Sequence, residues 1–164
     1  AHLIPLVEVV RSDATDDETA ETVMSVLRSV GKKPVLCKKD VPGFIANRMQ
    51  HALWREAISI IENGIADGET VDEAVRYSFG LRLPQLGPIE NADMVGLDLT
   101  WNIHDYILRD LEDSHRPSSL LTQLRDEGKL GFKTGEGFMK WTPEETKHAA
   151  EDLSEYLIRM LYHK

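Results

Sequence analysis

Residues 1–10 are almost wholly apolar and end in the β-branched pair Val9-Val10, the pattern of a strand buried on both faces. Such a strand demands sheet neighbours at its edges and cover above and below, which this sequence barely supplies. Asp16, Asp17 and Glu18 open a helical stretch in which Val23, Val26, Leu27 and Val30 recur at helical spacing, with Gly31 placed as a C-terminal cap. Residues 33–37 return as a second short strand. The first 40 residues therefore spell strand, helix, strand, the expected tail of a parallel sheet whose earlier strands lie outside this sequence.

The pattern changes at Pro42. Phe44, Ile45, Met49, Leu53, Ala57, Ile60 and Ile61 keep spacings of three and four over a long run closed by Gly64 or Gly68, which predicts a long helix with a broad apolar face. A face of that size must meet another helix or another subunit. Thr70-Val71-Asp72-Glu73 and Thr142-Pro143-Glu144-Glu145 have the form of capping boxes, the second with proline in the first helical position. Between them, Leu99, Ile103, Tyr106, Ile107 and Leu111 predict an amphipathic helix, and residues 118–127 a shorter one stopped by Gly128. Residues 78–88, rich in Gly, Pro and aliphatic side chains, read as an irregular connector. The fold class expected is mainly α: a helical domain over residues 41–164, preceded by a β-α-β remnant over residues 1–40.

A hydrophobic fraction of 41% and a charged fraction of 29% are ordinary for a globular chain. The net charge of -9 would repel a polyphosphate backbone, which argues against a nucleic-acid partner. A small anion is another matter, because Lys32, Lys33, Lys38 and Lys39 cluster locally; they read equally as a solvated strand end. The single cysteine, Cys37, cannot form an internal disulfide and reads as a buried strand residue, fitting a reducing compartment. No apolar stretch approaches the length needed to cross a bilayer and no leader pattern is present, so the expected setting is the cytoplasm, away from membranes. The histidines at 51, 104, 115, 148 and 163 show no spacing that suggests a metal site.

Asp40-Val41-Pro42-Gly43-Phe44-Ile45-Ala46-Asn47-Arg48, followed by Ala52-Leu53, Ile60-Ile61 and Gly64, resembles the signature of the 3-hydroxyacyl-CoA dehydrogenase family, whose relatives include 3-hydroxybutyryl-CoA, carnitine and gulonate dehydrogenases. Upstream, Leu3-Ile4-Pro5-Leu6-Val7-Glu8-Val9-Val10 is similar to the strand that follows the family's catalytic His. Downstream, Gly87-Pro88-Ile89-Glu90, Met94-Val95-Gly96-Leu97-Asp98 and the block from Gly131 to Phe138 are similar to its later motifs. The resemblance implies an NAD-dependent oxidoreductase: residues 1–40 end its Rossmann-type cofactor domain, and residues 41–164 form a helical domain for a small-molecule substrate and for homodimerisation.

By position, the resemblance makes Glu8 the carboxylate that orients the catalytic imidazole and favours its charged form while hydride leaves for the nicotinamide. Independently of any family, a carboxylate inside an apolar strand is seldom left without a partner. Asn47 matches the position whose amide donates to developing negative charge on the substrate carbonyl; it also reads as a structural amide on a helix. Lys133 matches a lysine that reaches the nicotinamide cofactor, and reads as well as a flexible surface lysine. Arg48 is expected in a structural ion pair. No metal is implied. The family's His would precede Ala1, and His2 stands too close to Glu8 to replace it. The Gly-rich phosphate turn is likewise missing, because Gly135-Glu136-Gly137 does not join a strand to a helix.

Residues 78–88 are longer than the corresponding loop of fatty-acid-oxidising members and closer to that of carnitine and gulonate dehydrogenases. A free hydroxy acid usually wants an arginine clamp, for which Arg82 is the candidate. Three expectations follow: part of a dehydrogenase of 3-hydroxyacyl-CoA esters, part of a dehydrogenase of a free small hydroxy acid, or a non-catalytic helical module for dimerisation or ligand binding.

Overall fold

The computed structural model describes residues 3–162. The expectations for His2 and His163 fall outside that range. The chain runs β1 (Leu6–Val10), α1 (Asp17–Ser29), β2 (Lys33–Cys37), α2 (Ala46–Glu62), α3 (Gly68–Arg76), a 3-10 turn (Phe79–Leu81), α4 (Pro88–Val95), α5 (Leu97–Ile107), α6 (Ser119–Asp126) and α7 (Pro143–Tyr162). The mainly helical class with a small β-α-β opening is therefore as expected. It divides into two compact units, residues 1–52 with 142–164, and residues 53–141.

In the first unit β1 and β2 pair in parallel, with Leu6 opposite Lys33, Glu8 opposite Val35 and Val10 opposite Cys37. The first strand is half as long as the apolar run that predicts it. Helix α1 covers this pair, and Ala20, Met24 and Cys37 are buried. The helix begins where Asp16 accepts a hydrogen bond from the Thr19 N–H at 2.7 Å, with Asp17 and Glu18 favourably placed in its positive first turn. It ends at Gly31, whose φ of 77° lets its N–H reach Arg28 O and the next N–H reach Leu27 O, both at 3.0 Å.

The same device resolves the two candidate ends of α2. Gly64 N–H bonds to Ile61 O and Ile65 N–H to Ile60 O, each at 3.0 Å, which closes the helix there. Gly68 instead opens α3. That start corrects the reading of Thr70 as a cap: Asp67 is the N-cap, accepting from Thr70 N–H at 2.8 Å, so Thr70 lies within the helix. The Thr142 box does form, with Thr142 N–H to Glu145 Oε2 at 2.7 Å and Glu145 N–H to Thr142 Oγ1 at 3.2 Å.

The second unit is tied together largely by α2 carboxylates. Glu56 Oε2 accepts from Glu112 N–H at 2.8 Å, and Glu62 Oε1 takes the Ser119 hydroxyl and the Leu120 N–H at the opening of α6. Helix α4 has no counterpart in the periodicity reading, because its eight residues are too few to show a repeat; Pro88 in its first turn is its local marker. Phe44 and Ile45 stand in the turn ahead of α2 rather than in the helix. No helix among the described residues is long and apolar enough to cross a membrane.

Candidate functional site

The Pro42-Gly43-Phe44-Ile45 stretch ahead of α2 holds no Ser, Thr, Asp or Asn side chain, so the helix has no local acceptor for its first N–H groups. The acceptor comes from β1. Glu8 Oε1 receives Ile45 N–H at 2.7 Å and Ala46 N–H at 3.0 Å. A carboxylate there also meets the positive end of the helix dipole. The half-buried carboxylate of the apolar strand thus has its partners, though they are backbone amides.

The chain reaches this position through a tight turn. Phe44 N–H bonds to Val41 O at 3.1 Å, Gly43 has φ 78°, and Phe44 has φ 45°. Phe44 is the one non-glycine residue with positive φ among those described. Arg48 reaches back to Pro42 O at 3.4 Å through its guanidinium, so it braces the turn, and the ion pair expected of it does not form among the described residues. Asn47, the next residue after Ala46, is exposed on the first turn of α2. The structure therefore gathers Glu8 and Asn47 at one end of one helix.

Lys133 lies in the second unit, exposed within a loop over residues 129–141. Gly131 N–H to Glu136 O at 2.8 Å and Thr134 N–H to Gly131 O at 3.0 Å fold this loop on itself, and the Thr134 hydroxyl accepts from Leu130 N–H at 2.8 Å. Phe132 and Trp141 meet edge to face at 4.7 Å. The ion-paired cation here is Lys129, 3.0 Å from Glu127 and 3.2 Å from Glu136; these carboxylates, Glu127 first, hold its ammonium above the usual lysine value. Lys133 forms no ion pair among the described residues. Arg82 is exposed beside the 3-10 turn.

The described residues do not fit a dinucleotide pyrophosphate. The turn from β1 to α1 carries Asp13, Asp16 and Asp17, and the α1 N-terminus is already capped by Asp16, where a phosphate would need glycine and free amides. Nor does any group of three or more His, Cys, Asp or Glu among them form a metal cluster.

These features define a mainly helical protein in which a small parallel-sheet segment hands over to helices at a carboxylate-capped turn. Residues 1–41 match the family model described as 3-hydroxyacyl-CoA dehydrogenase, NAD binding domain, and residues 43–141 match that of the 3-hydroxyacyl-CoA dehydrogenase C-terminal domain. The chain belongs to the 3-hydroxyacyl-CoA dehydrogenase family. Among its relatives, 5-formyl-3-hydroxy-2-methylpyridine 4-carboxylate 5-dehydrogenase of Mesorhizobium japonicum is 37% identical over 146 residues, 89% of this chain and 47% of the relative. Human mitochondrial hydroxyacyl-coenzyme A dehydrogenase is 41% identical over 141 residues, 85% of this chain and 44% of the relative. A crystal structure of the pyridine carboxylic acid 5-dehydrogenase, described as an NAD+ dependent dismutase, superposes with a TM-score of 0.92 at 34% identity, covering 99% of this chain and 54% of that one. The (S)-3-hydroxybutyryl-CoA dehydrogenase of Ralstonia eutropha gives 0.60 at 32% identity over 85% of this chain and 48% of that one. The chain spans about half the length of the relatives it matches.

The participation of the α2 amides in holding Glu8 is absent from the sequence reading. Its signal was the long helix that begins without a capping side chain of its own.

Proposed function

We propose that this chain is the C-terminal part of an NAD-dependent dehydrogenase that moves a hydride between the cofactor and a 3-hydroxyacyl or closely related hydroxy substrate. The observation that carries the reading is the junction of Glu8, in the stretch matching the NAD binding domain, with the start of α2, in the stretch matching the C-terminal domain. NAD, when bound, would supply the hydride acceptor; the pyrophosphate turn and the catalytic His belong to the rest of the protein in this proposal. Domains divide at residues 40 and 41.

Glu8 keeps the imidazolium favourable with the carboxylate oxygen not engaged by α2. Asn47 donates its amide N–H to the substrate oxygen as negative charge develops there. Lys133 reaches toward the cofactor. The lone buried thiol of Cys37 suits a reducing compartment, and we place the protein in the cytoplasm. The partner is a second copy of the chain.

A specific observation favours a free acid over an acyl-CoA ester. The TM-score is 0.92 to an enzyme named for a pyridine carboxylic acid and 0.60 to a 3-hydroxybutyryl-CoA dehydrogenase; in addition, Arg82 is exposed within residues 78–88, and a guanidinium suits a carboxylate. NADH formation by the whole protein, measured across short 3-hydroxyacyl-CoA esters, free hydroxy acids and pyridine carboxylates, tests both. Turnover of the esters alone removes the free-acid reading. Failure with every class, in folded protein that binds NAD, removes the dehydrogenase reading.

A further inference from the structure

The N–H groups of Ile45 and Ala46 stand where a helix has no earlier carbonyl to receive them. Both converge on the same oxygen, Glu8 Oε1. With Oε1 held by two amides, Oε2 is the oxygen left to a further partner. The grip requires the path that precedes it: Gly43 at φ 78° followed by Phe44 at φ 45°. A phenylalanine in the left-handed region is held there against its preference, by the Val41–Phe44 backbone bond and by the Arg48 side chain on Pro42 O. A β-carbon on Gly43 would meet Arg48 Cγ at 3.3 Å and Asn47 Cβ at 3.6 Å as well as a strained φ. The family models divide at this turn, one ending at residue 41 and the other beginning at residue 43.

We propose that the left-handed turn Gly43-Phe44 and the Ile45 and Ala46 amides are a positioning device: they aim the second oxygen of Glu8 at the catalytic base and, by the same contact, pin the α2 turn that carries Asn47 to β1. The proposal rests on the roles assigned above to Glu8 and Asn47. Acid and amide are then set by one piece of backbone, and the strain at Phe44 serves their alignment.

Amide exchange of the whole protein, resolved at Ile45 and Ala46, reads the grip without reference to activity. Glu8→Ala should speed exchange at these two amides roughly ten- to hundred-fold, the worth of a hydrogen bond to a charged acceptor. Glu8→Gln keeps an acceptor oxygen and should change it less than ten-fold. Unchanged exchange in Glu8→Ala overturns the grip. In the whole protein Gly43→Ala, which leaves Glu8 itself intact, should lower kcat at least ten-fold with little change in the KM for NAD. It should also move the acid limb of the pH-rate profile to lower pH, because a misaimed carboxylate no longer favours the imidazolium. Normal kcat and an unmoved limb overturn the positioning role. Absence of turnover in the unsubstituted whole protein defeats the dehydrogenase reading, while the exchange data still decide the grip.

Discussion

At Gly80 a β-carbon would stand 2.5 Å from the carbonyl oxygen of Val75, backbone that closes α3 and cannot swing aside. Gly80→Ala should cost about 1–3 kcal/mol in overpacking, read as a lower urea midpoint. Gly87→Ala, with nothing within 4 Å of its new carbon, is the matched control. Asn47 lies on an exposed first turn, so its replacement by Ala should leave the helical signal intact while lowering kcat of the whole enzyme roughly 10²- to 10³-fold, the range for removing a donor to developing charge. A fall of less than ten-fold removes Asn47 from the chemistry. The residue scale is also where the sequence was most legible for Glu8: a carboxylate in an apolar strand announces a partner, though not which one.

Helix ends carry most of the titratable design. Glu62 is held below its ordinary value of 4.5, chiefly by the Ser119 hydroxyl and then by the Leu120 N–H. Asp16 and Asp67 are lowered from 3.8 by their Thr19 and Thr70 partners. A depressed folded value means that the contribution is complete above the unfolded value and disappears as pH falls through the folded one. Protection of the Leu120 amide should therefore drop as pH is taken below 4.5, and Glu62→Gln should abolish that dependence while leaving those at Thr19 and Thr70. A pH-independent Leu120 amide in the unsubstituted chain would refute the assignment. The exposed ion pairs, such as Arg76–Asp72 at 3.3 Å and Arg109–Asp105 at 3.5 Å, contribute little by comparison. At this scale Gly31 and Gly128 were readable as stops because the residue and its function are adjacent, whereas Gly64 and Gly68 were both candidates for the end of α2 until the fold chose Gly64. The start of α3 was not readable, because Asp67 outcompetes the Thr70 box three residues later.

Several large apolar side chains stay exposed within their own units: Met49 is 57% exposed, Trp101 67% and Leu153 58%. Apolar surface of this kind is what an obligate partner covers, which supports the proposed second copy alongside the rest of the protein. Sedimentation of the whole protein at micromolar concentration should give a dimer whose association resists high salt, as apolar contact does. A monomer at that concentration removes the dimer.

By itself the sequence determined the parallel strand pair, the ends of α1 and α6, the capping box of α7 and the family signature around Pro42. Each of these is encoded within a few residues, through φ preference, short-range hydrogen bonding or hydrophobic period. Only the tertiary structure decided what caps α2, since the acceptor lies 37 residues upstream of Ile45 and is brought there by the turn through Gly43 and Phe44. A carboxylate's need for a partner is local chemistry, whereas its partner's identity depends on where the folded chain carries the unsatisfied amides.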